Sequence, residues 1–274
     1  MSVTNIAKRR GTILDEIMAF HRENLPKIKR EVPLANVRAL AQTAVPPLDF
    51  YAALKAPGVS LIGECKKASP AKGVMVPNYD PVQLATAYVK AGACAIAVLT
   101  DRRHFQGSLS DLRDVKEAVG RKAPILRQDF IFDPYQVYEA RAAGADAILL
   151  IAAILSDKDA AELLALTHRL GMNALVEVHT EAELARMLAM EPRLIGINNR
   201  NWQTFQVDLE NTARLRQMIP DDVVVVGEGG MKTAVDVQQM LKIGVDAILV
   251  GETLVKSKDP CQTAKSFVKA GKSS

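Results

Sequence analysis

Ionisable and amide side chains lie at the ends of several short apolar segments, where a buried strand would open onto a loop. Glu64 and Lys66 end one such segment, and Glu177 lies near the end of another. Asn198 and Arg200 end a third. A charged side chain among apolar residues is costly unless it is paired or functional. Carboxylates and a lysine in such positions are suited to acid–base catalysis on an anionic substrate.

Two glycine-rich turns indicate a second kind of chemistry. One is Gly227-Glu228-Gly229-Gly230 and the other is Gly251-Glu252-Thr253, and each follows a late apolar segment. Glycine lets the backbone approach an anion closely, and backbone N–H groups at the start of a helix can bind a phosphate. The two turns therefore predict a phosphate site that includes Glu228, Gly229, Gly230, Gly251 and Glu252.

The elements that must position these residues alternate regularly along the chain. Helix patterns separate the apolar segments, for example at Pro81–Ala91, Pro134–Ala143, Lys158–Leu170 and Thr233–Ile243. Continuous apolar segments are typical of parallel strands buried on both faces. The sequence predicts eight strands, at Ser60–Cys65, Cys94–Leu99, Ile125–Asp129, Ala147–Ile151, Ala174–Val178, Leu194–Asn198, Val223–Gly227 and Ala247–Gly251.

Eight repeated βα units favour an α/β fold of the (β/α)8 TIM-barrel class over an open doubly wound sheet. No Gly-x-Gly-x-x-Gly pattern follows the first strand, which argues against a dinucleotide-binding fold. Residues 1–58 precede the repeat and predict an N-terminal helical extension, with helices at Asn5–Arg22 and Ala35–Thr43 that cover the bottom or one rim. Residues 59–274 form the barrel, and the whole chain, 1–274, is expected to be a single domain.

Composition excludes several classes of protein. The formal charge is +4 over 274 residues and basic residues alternate with acidic ones, so no nucleic-acid partner is expected. The longest apolar run, Ala147 to Leu155, is too short to span a membrane. Three widely spaced cysteines and unpaired histidines predict neither a disulfide nor a metal site. A cytoplasmic protein, monomeric or weakly homo-oligomeric, is expected.

Several motifs in order along the chain resemble those of indole-3-glycerol-phosphate synthases. They are Glu64-Cys-Lys-Lys-Ala-Ser-Pro-Ala-Lys-Gly73, Leu99-Thr-Asp101, Phe105-Gln-Gly-Ser108, Leu126-Arg-Gln-Asp-Phe130, Asp133-Pro-Tyr-Gln136, Leu175-Val-Glu-Val-His179 and Gly196-Ile-Asn-Asn-Arg-Asn201. The resemblance covers nearly the whole chain. It implies a carboxy-lyase of tryptophan biosynthesis that closes the ring of 1-(2-carboxyphenylamino)-1-deoxyribulose 5-phosphate, with loss of CO2 and water. It implies no metal and no organic cofactor.

The resemblance also assigns roles to individual residues. It makes Lys66 a catalytic lysine near the substrate carboxylate and makes Glu64 and Glu177 catalytic carboxylates. Asn198 would orient the substrate and a glutamate, with Arg200 from the same motif beside it. The remaining assignments concern substrate binding: Ser69, Gly230 and Gly251 at the phosphate, and Phe105 and Phe130 on either side of the anthranilate ring.

Two residues depart from the family's motifs. Gln128 stands where the family has a catalytic lysine, which is thought to protonate the departing oxygen. A glutamine amide can hydrogen-bond that oxygen but cannot deliver a proton. Gly229 replaces a serine, so a hydroxyl that would contact the substrate is absent.

Three interpretations follow from the motifs and the departures. The first is a synthase, slowed by Gln128. The second is a catalytically impaired or altered-specificity barrel, either a paralogue or a substituted variant, that binds phosphorylated ligands. The third is another phosphosugar enzyme of this fold, such as a phosphoribosylanthranilate isomerase, although the segment from Glu64 to Pro70 disfavours it.

Overall fold

A computed structural model describes residues 11–272, and eight parallel strands in it close into a barrel. Each strand pairs with its neighbours in sequence, and the last strand pairs with the first. The predicted strands are confirmed, with ends that differ by at most one residue. They are β1 (Ser60–Cys65), β2 (Ala95–Leu99), β3 (Ile125–Gln128), β4 (Ala147–Ile151), β5 (Asn173–Val178), β6 (Leu194–Asn198), β7 (Val224–Glu228) and β8 (Ala247–Val250).

Helices surround the barrel and connect its strands. Several begin with a side-chain cap followed by proline, as at Asp80-Pro81 and Asp133-Pro134, where proline costs no hydrogen bond. The helices are α1 (Ile13–Glu31), α2 (Leu34–Thr43), α3 (Phe50–Leu54), α4 (Pro81–Ala91), α5 (Leu109–Val119), α6 (Pro134–Ala142), α7 (Asp157–Arg169), α8 (Glu181–Leu188), α9 (Glu210–Arg216), α10 (Ala234–Ile243), α11 (Glu252–Val255) and α12 (Pro260–Ala270).

Alternation along each strand separates the core into two layers. In β2, Ala95 and Ala97 belong to the cluster that fills the barrel, whereas Ile96 and Val98 pack outward against the helices. The same alternation determines what lies at the carboxyl ends of the strands. Leu175 fills the barrel, so the side chain two residues later also points inward. The inner face of a strand is therefore apolar except at its last residues.

The N-terminal extension covers both ends of the barrel, not one as predicted. His21 of α1 contacts Asp101, which follows β2, so this helix lies at the carboxyl ends of the strands. Near the opposite end, the backbone N–H of Phe50 in α3 donates to Asn173, which begins β5. Between these two helices, α2 packs against α6 on the outside of the barrel.

The predicted first helix was wrong at its carboxyl end. The Thr12 side chain caps α1, which continues through Pro26 to Glu31. The helix continues because Leu25 packs into a small core with Val37 and Tyr135, and tertiary contact outweighs the proline. The predicted residues from Asn5 to Arg10 lie outside the described part of the chain. Within residues 11–272, no helix is long and apolar enough to cross a membrane.

Candidate active site

A pocket of about 830 Å³ opens at the carboxyl ends of the strands. Its walls come from residues that are up to 199 positions apart in sequence, from Glu64 to Thr263, and strand alternation directs many of their side chains to the same place. All the site residues predicted from the sequence line it: Glu64, Lys66, Ser69, Phe105, Gln128, Phe130, Glu177, Asn198, Arg200, Glu228, Gly229, Gly230, Gly251 and Glu252.

Glu64 and Lys66 form a close ion pair on one wall of this pocket. The Lys66 Nζ atom lies 2.5 Å from Glu64 Oε2, and the Glu64 side chain is 4% exposed. The backbone of Gly251 packs directly on this carboxylate, since a Cβ atom there would overlap Glu64 Oε2. Glycine at this position is therefore required by the position of the Glu64 carboxylate. The carboxylate in turn fixes the direction of the lysine ammonium.

Glu177, Asn198 and Arg200 form a second polar group on the opposite side of the barrel. Asn198 Nδ2 donates to Glu177 Oε2 over 3.1 Å, and the Arg200 backbone N–H donates to Asn198 Oδ1 over 2.9 Å. The amide of Asn198 is thereby held at both ends. The other carboxylate oxygen of Glu177, Oε1, is buried and has no hydrogen-bond partner among residues 11–272. This oxygen is available to a substrate proton.

Glu228 lies beside Glu177 and is almost fully buried. Burial is the main cause that raises the pKa of Glu228 well above its usual range, and the nearby charges of Glu177 and Glu64 add to it. Its Oε1 atom packs against the backbone of Gly196, where a side chain would collide with it. Two adjacent buried carboxyl groups do not both ionise readily. The raised pKa favours the protonated form of Glu228.

Gln128 ends β3 and projects into the same pocket. Its backbone carbonyl accepts from Thr100 N–H over 3.0 Å, within the sheet. Its side-chain Oε1 atom is buried and meets no hydrogen-bond donor in the described part of the chain. A buried amide oxygen without a partner costs free energy unless a ligand satisfies it. Gln128 is therefore placed to contact a ligand, although it cannot supply a proton.

Three aromatic rings form one wall of the pocket. The ring centroids of Phe105 and Phe130 are 6.0 Å apart, and Trp202 lies 6.1 Å from Phe130. At this separation the two phenylalanines contact each other, so they must move apart before an aromatic ligand can enter between them. No role in the pocket was predicted for Trp202. Its position directly after the Gly196–Asn201 motif was the available signal for a role in the pocket.

The glycine turns lie at the other side of the pocket, next to Ser69 and Lys72. Gly229 and Gly230 have φ angles of +74° and +90°, which residues with a side chain rarely adopt. Glu252 contributes a negative charge here, but Arg200 and Lys256 pair with it at 3.1 and 2.8 Å. Those cations and their hydrogen bonds lower the pKa of Glu252, although burial alone would raise it.

His21, Asp101 and Asp129 converge beside the pocket, and sequence alone did not reveal this group because 80 residues separate the first two. His21 Nε2 lies 2.8 Å from Asp101 Oδ2. Burial alone would raise the pKa of Asp101, but its hydrogen bonds with His21 and two backbone N–H groups lower it. Asp129 is already bonded to Arg127, Thr100 and its neighbouring backbone. The group fastens α1 to the barrel.

A closed (β/α)8 barrel with an acid–base cluster at the carboxyl ends of its strands defines an enzyme of the TIM-barrel class. A sequence profile of indole-3-glycerol phosphate synthase matches residues 14–267. The chain therefore belongs to the indole-3-glycerol phosphate synthase family, as the motifs had indicated.

Relatives with this activity in their names cover the chain almost fully. An indole-3-glycerol phosphate synthase of Dehalococcoides mccartyi is 49% identical over 249 residues, which is 90% of this chain and 96% of the relative. One from Roseiflexus castenholzii is 48% identical over 255 residues, which is 90% of this chain and 95% of the relative.

Solved structures of lower identity support the fold alone. A 3-hexulose-6-phosphate synthase from Salmonella typhimurium superimposes with a TM-score of 0.63 at 11% identity, and covers 77% of this chain and 98% of that one. A thiamine phosphate pyrophosphorylase from Pyrococcus furiosus gives 0.58 at 16% identity, with 77% and 95% covered.

Proposed function

We propose that this chain is a carboxy-lyase that makes indole-3-glycerol phosphate in tryptophan biosynthesis, and that the reaction takes place in the pocket lined by Glu64 and Glu177. The substrate is 1-(2-carboxyphenylamino)-1-deoxyribulose 5-phosphate. Family membership supports the activity, and the observation that carries the site is the convergence of both carboxylates and Lys66 in one pocket.

The substrate's two negative ends have complementary partners in the pocket. Lys66 presents an ammonium that Glu64 holds in place, and a carboxylate on the aromatic ring can bind it. Ser69 and the backbone N–H groups of Gly230 and Gly251 would donate hydrogen bonds to the phosphate. The rings of Phe105, Phe130 and Trp202 would pack against the anthranilate ring.

The reaction requires a base and an acid, which act on different atoms of the substrate. Ring closure forms a carbon–carbon bond at the ketone, whose oxygen takes up a proton, and CO2 then leaves. The new hydroxyl departs as water after a second protonation, while the base removes a proton from the neighbouring CH2 carbon to form the double bond of the indole. Glu177 is proposed as the base, because its Oε1 atom accepts no hydrogen bond within residues 11–272. Glu228, whose raised pKa favours its protonated form, is the acid that we propose in place of the family's lysine.

A second candidate function rests on Gln128. Its amide cannot donate a proton as an acid does, and its buried Oε1 atom is unpartnered until a ligand binds. These properties suit a barrel that binds the phosphorylated substrate and turns it over slowly or not at all. The two candidates share a ligand and differ in rate.

A fluorescence assay separates these candidates. The purified chain is mixed with the authentic substrate, and the indole product is followed by its emission, while calorimetry measures binding of the same compound. Turnover supports the synthase. Binding without turnover selects the impaired barrel, and the absence of both would overturn the proposed site.

We infer a monomer or weak homo-oligomer as the working form. The most exposed large apolar side chains are Leu40, Val45 and Val235. The first two lie at α2 and the third in α10, so they do not combine into the wide apolar patch of an obligate interface. Light scattering after gel filtration measures the mass, and a stable higher oligomer would contradict this inference.

A further inference from the structure

His179 follows β5 immediately, and each nitrogen of its buried ring faces a carboxylate. Its Nε2 atom lies 3.6 Å from Glu177 Oε1, and its Nδ1 atom lies 3.6 Å from Glu183 Oε2. Only 11% of the His179 side chain is exposed. Neither nitrogen has a closer hydrogen-bond partner within residues 11–272. The ring therefore bridges the pocket carboxylate to one at the start of α8.

This geometry favours a proton on both ring nitrogens. A neutral imidazole has one N–H and one lone pair, and the lone pair would repel whichever carboxylate it faced. Burial disfavours the charge, but the contact with Glu183 and the charges of Glu177 and Glu183 outweigh burial and raise the pKa of His179. The two facing carboxylates and the raised pKa both favour the imidazolium form.

The other groups packed against His179 do not oppose its charge. The ring of Trp202 lies 6.0 Å away between centroids and is uncharged. From α9, Asn211 Nδ2 donates to the backbone carbonyl of His179 over 3.2 Å. The nearest cation on that helix, Arg214, bonds to Asn211 and pairs with Glu181.

We propose that His179 is a positioning residue whose imidazolium keeps Glu177 as the charged member of the Glu177–Glu228 pair. The two oxygens of Glu177 then have distinct roles, since Asn198 holds Oε2 and His179 attracts Oε1. The proton of the pair stays on Glu228, so one group is ready as a base and the other as an acid. The catalytic part of this proposal rests on the proposed function, whereas the charge of His179 does not.

The charge of His179 is measured without any substrate. The chain has four histidines, so ring-nitrogen NMR of labelled protein resolves each of them, and the spectrum of His179→Asn identifies the signal of His179. We expect both ring nitrogens of His179 to carry protons at pH 7. A neutral ring at that pH would overturn the proposal whether or not the protein makes indole.

Kinetics tests the effect on Glu177. Without a facing cation the carboxylate ionises less readily, so in His179→Asn the acidic limb of kcat/KM against pH should move upward by about one pH unit. Glu183→Gln should move it the same way by less, because the imidazole ring remains and Gln can still accept the His179 backbone N–H. Exposed His168→Asn is the matched control and should leave the limb unchanged.

These variants distinguish the proposed positioning role of His179 from a purely structural one. If His179 only fills space, His179→Asn lowers the melting temperature and the pH profile stays in place, which overturns the proposal. If His179→Asn does not fold, Glu183→Gln retains the ring and decides the question: an unmoved acidic limb overturns the proposal, and a limb shifted upward supports it. If the wild-type chain shows no turnover at all, the proposed function fails while the NMR result stands.

Discussion

The Asn198 side chain holds Glu177 in one orientation, because the amide is fixed from its other end. Its Oδ1 atom accepts the Arg200 N–H over 2.9 Å, so the Nδ2 atom must face the Glu177 carboxylate, 3.1 Å away. Because both the oxygen and the nitrogen of this side-chain amide are hydrogen-bonded, the amide cannot flip freely. The base in the pocket is thus positioned by a backbone N–H two residues after the end of β6.

Glu177→Gln should lower turnover by a factor of at least about 10², because it keeps the shape and removes the basic carboxylate. The free energy of unfolding should change little, since the mutation also removes one of two adjacent acids. Indole fluorescence measures turnover. Glu162→Gln on exposed α7 is the control, and unchanged turnover in a folded Glu177→Gln protein removes Glu177 from the mechanism.

Gln128→Lys should raise turnover by an order of magnitude or more, equivalent to about 1.4 kcal/mol off the barrier. The residues have similar length, and the pocket already contains Glu64, Glu177 and Glu228 to hold the new ammonium. Gln128→Met has comparable size without a charge, and should show no gain. Equal rates for the wild type and Gln128→Lys would mean that Glu228 alone supplies the proton as fast as a lysine at position 128 would.

Gly229→Ser restores the hydroxyl of the family's motif, but it places a residue with a side chain in an unfavourable backbone conformation. The φ angle of Gly229 is +74°, and a residue with a side chain pays about 1–2 kcal/mol there. We expect a lower melting temperature and a gain in turnover smaller than that of Gln128→Lys. A larger gain than Gln128→Lys would show that the missing hydroxyl matters more than the missing cation.

Ser69→Ala should raise KM by about tenfold and change kcat little, because a hydrogen bond to a charged group contributes about 1.5 kcal/mol. This substitution is a cleaner test of the phosphate site than Gly230→Val. A side chain at Gly230 would collide with Val207 and also require φ near +90°, so it would distort the loop itself. A loss confined to kcat would place Ser69 away from the phosphate.

Glu228→Gln should stabilise the protein increasingly as pH rises. Burial and neighbouring carboxylates raise the pKa of Glu228, so the folded state holds this proton more tightly than the unfolded chain. Its stabilising contribution is complete below the unfolded pKa of about 4.3 and is lost as pH rises through the folded value. Melting temperatures at about pH 5 and pH 8 measure the difference between variant and wild type. A difference independent of pH would contradict the raised pKa.

The sequence by itself determined the barrel and many of the residues that line the pocket. Strands buried on both faces are largely apolar, so β1 to β8 were predicted to within one residue at each end. Period-two alternation then carries Glu64, Glu177 and Glu228 onto the inner face. These are local properties, which depend on residues a few positions apart.

The tertiary structure alone decided which distant groups meet. No local pattern reveals that His21 of α1 reaches Asp101, that Trp202 joins the wall of Phe105 and Phe130, or that two glutamates face the ring of His179. Nor does composition reveal which carboxyl of the Glu177–Glu228 pair is protonated. Protonation depends on burial and on charges brought together by the closing of the barrel, because the energy of a charge is determined by its surroundings in space.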